Sequence, residues 1–170
     1  MVGILATLAI VGFRNYVAAA GIAEPKGMIQ LIRHGEVQYK LDAMQFLGCA
    51  GCGAAGCAPG AGTLTAYYPT ATPSEKKYTW RQDGSAEYDC WKLLNVTTDA
   101  TVRFGYAVVS GGPSDSVKQP TGFTALTPFQ QPDEAWFVIQ AAGNRDGDAI
   151  QALITANSWS NEVYYENDTE

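Results

Sequence analysis

Four cysteines carry the sharpest chemistry in the chain. Cys49-x-x-Cys52-x4-Cys57 lies in one short segment, and Cys90 follows 33 positions after Cys57. Close cysteine pairs hold zinc or iron–sulfur clusters when a second pair completes the set. Here only one further thiol follows, and a redox C-x-x-C would sit in a βαβ setting that the pattern lacks. The same even count outside a reducing compartment forms two disulfides that staple a loop. Three pairings are open; Cys57 to Cys90 with Cys49 to Cys52 is the preferred one, because it closes a long loop and lowers unfolded-chain entropy by roughly 3–4 kcal/mol.

Asn144-Arg-Asp-Gly-Asp148 places Asn144, Asp146 and Asp148 at the i, i+2, i+4 spacing that calcium loops use around a glycine. Position twelve from Asn144 is Thr155, not the bidentate glutamate of such loops, so a solvated β-turn is the competing reading. The single histidine, His34, stands between Arg33 and Glu36 in a helical pattern, where a solvated or packing role is expected rather than a triad. Trp80, Trp91, Trp136 and Trp159, with nine tyrosines, are either a stacking surface for sugars or ordinary sheet and core residues. Asn95-Val-Thr97 and Asn167-Asp-Thr169 match a glycosylation sequon and are read as chance. No catalytic constellation emerges, and none is expected.

The elements that position these residues follow from periodicity. Phe13, Tyr16, Val17, Ile22, Met28, Ile29, Ile32, Glu36, Val37, Leu41 and Met44 recur at three- and four-residue steps, which predicts one helix of about 45 residues with a buried face. Gly21, Pro25 and Gly27 predict a kink or local melting near residues 23–27, and Gly48 is the expected stop. Residues 48–88 read as a long irregular loop, a length usual for a functional or covalently tied surface. Four strands follow at 102–109, 134–142, 150–156 and 162–166, the first alternating as a half-buried strand does. Helix, loop and antiparallel meander together make an α+β fold with the sheet packed on the second half of the helix.

Charge and hydropathy bound the partners. With 11 basic and 17 acidic side chains the net charge is -6, which argues against a general nucleic-acid binder, whose phosphate contacts need a basic face. The first thirteen residues hold no charge, and Arg14 ends the run. As a helix they rise about 20 Å, short of the roughly 20 residues a bilayer crossing takes. A signal peptide cleaved after Ala18-Ala19-Ala20 is one alternative, although its basic residues would have to precede the run. A full span preceded by about ten further apolar residues is another.

Gly3-Ile-Leu-Ala-Thr-Leu-Ala-Ile10 followed by Phe13-Arg-Asn-Tyr16 resembles the end of the transmembrane stem of type IV pilins. Trp91–Val96, Val102–Val109, Ala135–Asp148 and Glu162–Asn167 are similar to segments of pilin-like proteins of myxobacteria and related deltaproteobacteria. The family's leader, first mature residue and nearby glutamate would lie upstream of Met1, and Val11 stands where many members have a stem proline. The resemblance implies a pilin-like α+β fold, a long N-terminal helix on a four-stranded antiparallel sheet with a long αβ loop. It divides the chain into an apolar stem, residues 1–20, and a head, residues 21–170, with the αβ loop at 48–90 and the sheet at 101–167. It further implies a structural subunit, not an enzyme, with no cofactor unless calcium binds. Gly3, Ile4, Leu5, Leu8, Ile10 and Phe13 would pack in membrane and then filament. Its partners would be other pilin subunits, the assembly machinery and the bacterial inner membrane before assembly; its destination would be a pilus on the cell surface. Alternatives are a type II secretion pseudopilin, for which an ordered calcium would be telling, and a secreted binding domain.

Overall fold

The computed structural model describes residues 2–81, 84–148 and 150–168, with side chains described from Gly21 onward. Helix α1 spans Val2–Ala43. Met28, Ile29, Ile32, Gly35 and Glu36 are buried along one face, the spacing of a 3.6-residue repeat laid on a sheet. The expected face is corrected at its end: Val37, Leu41 and Met44 are 49%, 68% and 84% exposed. Val37 and Leu41 sit roughly 100–140° round the helix from Glu36, turned away from the core, and Met44 lies just past the helix end. The helix also runs through Pro25 without melting. Two contacts lie just before the proline: Glu24 accepts from the Arg103 and Phe104 amides, and the Arg145 guanidinium lies directly against Gly21. It ends at Ala43, not Gly48. Met44 takes a left-handed φ of 59° and donates its N–H to the Lys40 carbonyl at 2.9 Å, so the chain turns there and drives Phe46 and Leu47 into the core.

A four-stranded antiparallel sheet forms the second layer. Strands β3 (Gly105–Gly111), β4 (Trp136–Gly143), β5 (Ala152–Asn157) and β6 (Val163–Glu166) lie in that order. Before them come β1 (Tyr78–Thr79), α2 (Ala86–Leu93) and β2 (Thr101–Val102), with β1 and β2 paired as a small antiparallel ribbon. The strand expected from Val102 is split between β2 and β3. Arg103 and Phe104 give their amides to the Glu24 carboxylate, at 2.8 and 3.3 Å, and so leave the ladder. Helix α2 begins inside the stretch read as irregular, 48–88, and runs on past its end. Ser85 caps it by accepting from the Tyr88 amide at 3.1 Å.

Both faces of the sheet are covered. Tyr106, Val108, Phe137, Ile139, Ala141 and Ile154 meet α1, α2 and the Trp80–Trp91 pair in the main core. Ala107, Val109, Trp136 and Val138 meet Ala50, Leu64, Val117 and Phe129 on the other side. The expectation of a half-buried first strand therefore fails: all of β3 is buried, because the loop after α1 and residues 112–135 fold over the face that would otherwise meet water. Gly35 lets α2 approach α1, since a Cβ there would strike the Leu94 carbonyl.

Candidate functional site

The cysteines form two disulfides, Cys49–Cys90 and Cys52–Cys57, with Cα separations of 5.7 and 4.9 Å. The preferred pairing of Cys57 with Cys90 and Cys49 with Cys52 is thereby corrected. Local backbone pairing is the reason. Cys49 donates to the Val108 carbonyl at 2.9 Å and is drawn into the core beside fully buried Cys90. Cys57 pairs instead with Gly48, its amide 2.7 Å from the Gly48 carbonyl, and faces Cys52 across a tight loop. No described cysteine remains a thiol. The tied segment also occupies the outer edge of β3: besides Cys49 on Val108, Gly60 donates to Ser110 at 2.8 Å, and Tyr68 and Tyr106 exchange backbone bonds. An open strand edge is thus capped by the chain's own loop.

The Asn144–Asp148 segment is an exposed turn tied by its own side chains. Asn144 Oδ1 accepts from the Gly147 amide at 2.7 Å and Asn144 Nδ2 donates to the Asp148 carbonyl at 2.6 Å. Asp146 Oδ1 accepts from the Asp148 amide at 3.3 Å, and Asp148 Oδ1 from the Ile150 amide at 2.6 Å. Among the described residues no group of three or more His, Cys, Asp or Glu is placed to hold a metal ion. Trp80, Trp91 and Trp136 are fully buried core residues; Trp159, 39% exposed, is the tryptophan left for a surface role. The sequon residues Asn95 and Asn167 take left-handed φ values of 54° and 56°, as turn residues do. The side chains of Gly3, Ile4, Leu5, Leu8, Ile10 and Phe13 lie outside the residues described. Among the described residues no helix is long and apolar enough to cross a membrane.

The seam between α1 and the elements packed on it holds three of the perturbed titrating groups. Glu36 is fully buried; its Oε2 accepts from the Leu47 amide at 2.9 Å while Oε1 has no hydrogen-bond partner. Loss of hydration pushes its carboxyl well above the usual range, against the smaller pull of the Leu47 bond. Glu24 Oε1 accepts from the Tyr106 hydroxyl at 3.3 Å, and burial, with this carboxylate's help, raises the Tyr106 phenol well above its ordinary value. Arg33 Nη2 donates to the carbonyls of Ser160 and Glu162 at 2.9 and 3.0 Å.

Arg33 and His34 border a surface groove of about 360 Å³ against the 157–161 loop. A second groove of about 340 Å³ shares Phe46 and Ser158 with it and reaches Trp159. Sequence reading missed this pair of grooves. Its signal was the dense polar run Asn157-Ser-Trp-Ser-Asn161 just before the last strand. No family model, curated protein or solved structure matches the chain.

Proposed function

We propose that the chain is a structural subunit of the type IV pilin kind, polymerising through the apolar start of α1. The observation that supports this most is one helix with two characters. Its first thirteen residues carry no charge, and the same helix continues into a face laid across a four-stranded antiparallel sheet. A helix apolar on every side is buried equally well by lipid tails or by sister helices, so its transfer from bilayer to filament costs little hydrophobic free energy. Small residues at Gly3, Ala6, Ala9 and Gly12 permit close helix approach. On this reading residues 2–43 form the pilin helix and the disulfide-tied stretch after it is the αβ loop displayed on the filament exterior. The partners are other pilin subunits and the assembly machinery, with the inner membrane as the site of storage before assembly.

The test is immunogold electron microscopy of cells making the natural product. Label along surface filaments, lost in a Leu8→Glu variant whose head still folds, is the expected result. Recovery of the chain as a soluble monomer beginning at Gly21 would overturn the reading.

A further inference from the structure

We infer that the groove beside Trp159 binds a neutral sugar, a short oligosaccharide of uncharged pyranose rings. This site is independent of the filament reading, since it uses only residues after Gly21. Its first support is the way the indole is held. Trp159 is 39% exposed, while Trp80, Trp91 and Trp136 are buried. The loop that carries it is tied on both sides of the ring. Before it, the Ser158 amide donates to the Phe137 carbonyl at 3.1 Å, and Ser158 Oγ accepts from the Phe137 amide at 3.2 Å. Across it, Asn157 Oδ1 accepts from the Ser160 amide at 2.8 Å. After it, Arg33 Nη2 donates to the Ser160 and Glu162 carbonyls at 2.9 and 3.0 Å. Phe129 meets the indole at 86°, the centroids 5.6 Å apart, a contact that covers at most one ring face. The ring is thus ordered in advance and partly wet, which lowers the entropy lost when a ligand settles on it.

The second support is the charge around the ring. Lys40, Asp133 and Glu134 line the same groove, whose volume of about 340 Å³ falls in the small-ligand range. Asp133 and Glu134 form no hydrogen bond or ion pair among the described residues, and the Lys40 ammonium lies 4.4 Å from the centroid of the Phe46 ring. Both signs therefore rim one groove. An anion is repelled by Asp133 and Glu134 and a cation by Lys40, whereas a neutral polyol meets neither penalty. Each ionised group still bonds a hydroxyl more strongly than a neutral partner would: the carboxylates accept, the ammonium donates, and a hydroxyl does both. A pyranose presents the matching pair of surfaces, an apolar C–H face for the indole and a rim of hydroxyls for the charged groups. The neighbouring groove of about 360 Å³ joins this one at Phe46 and Ser158 and brings the side-chain amides of Gln30 and Asn161. A second ring finds neutral donors and acceptors there.

The experiment is an NMR titration of the 15N-labelled full chain in phosphocholine micelles, which carry no sugar headgroup. The probes are cellobiose, lactose and diacetylchitobiose, with digalacturonate and the glucosamine disaccharide as charged counterparts. Saturable shifts of the Trp159 indole with at least one neutral disaccharide are expected, at a Kd of about 1 mM or tighter, with the Trp80 and Trp91 indoles unmoved. Trp159→Ala should weaken binding about tenfold or more, while Trp159→Tyr keeps an aromatic face and retains it. Trp159 is exposed, so the fold survives, and the buried indoles report that directly. Asp133→Ala combined with Glu134→Ala should also weaken binding about tenfold. Failure of all the neutral disaccharides to bind, or tighter binding of either charged one, overturns the proposal. So does binding that leaves the Trp159 indole unshifted or is indifferent to Trp159→Ala.

Discussion

Glu36 occupies a position where a leucine would pack, on the buried face of α1 between Ile32 and Tyr39. What it supplies is an acceptor for the Leu47 amide, 2.9 Å away, at the point where the chain leaves the helix and re-enters the core. An apolar residue there would strand that buried N–H, at a cost of about 1–3 kcal/mol. The carboxyl is held well above its ordinary value of 4.5 by loss of hydration. The folded state therefore binds a proton more tightly than the unfolded chain does. Below about pH 4.5 both states are protonated and the group's contribution is whole; as the pH climbs from there toward the raised folded value, the unfolded chain ionises first and stability is lost. Glu36→Gln keeps an acceptor for Leu47 and removes the titration. Thermal melts across pH should show the variant gaining on the wild type steadily as the pH rises from about 4.5, with no such gain below it. Parallel curves would mean that Glu36 is hydrated in the folded state.

At the scale of elements, the two disulfides divide their labour by loop length. Cys49–Cys90 spans 41 positions and ties the start of the loop to α2; Cys52–Cys57 spans 5. In the chain-entropy model the first is worth about 4 kcal/mol and the second about 2 kcal/mol. Urea denaturation should accordingly rank the Cys49→Ser/Cys90→Ser double variant well below the Cys52→Ser/Cys57→Ser one. Non-reducing peptide mapping should recover the same two pairs. None of this connectivity was legible in the spacing, because it depends on Gly48 pairing with Cys57 and on Cys49 reaching Val108, contacts made only after the sheet exists. The strands were legible, since alternating apolar residues stopped by Gly-Gly-Pro and Asn-Arg-Asp-Gly runs are local signals. Helix α2 was hidden by its brevity: eight residues in a glycine- and threonine-rich stretch show little more than a Ser85 cap and first-turn acids. The groove between α1 and the 157–161 loop was invisible for a different reason. Arg33 and Ser160 stand 127 positions apart, and no pattern within either segment names the other.

For the whole molecule, the proposed division between an apolar stem, residues 1–20, and the residues after it makes a quantitative claim about what folds with what. The main core draws on α1 from Ile22 onward. The polar ties between helix and head, from Glu24 to Arg103 and Phe104, Arg33 to Ser160 and Glu162, and Glu36 to Leu47, also fall after Gly21. On the filament reading, the charge-free first thirteen residues would serve lipid and neighbouring helices rather than the packing of residues 21–170. A chain beginning at Gly21 should form both disulfides and melt as the full chain does in mild detergent, within the roughly ±0.5 kcal/mol of a change that leaves the core untouched. On the filament reading it should at the same time lose all partition into membranes and filaments, because the apolar area proposed to drive both is gone. A marked fall in the midpoint would show instead that the opening residues pack on the head, and would make the apolar start a core segment. An unchanged midpoint with persisting membrane association would move the anchoring surface to the exposed Val37, Leu41 and Met44 stripe. The two measurements, made on the same preparation, therefore separate a helix that serves two environments from one that serves only its own domain.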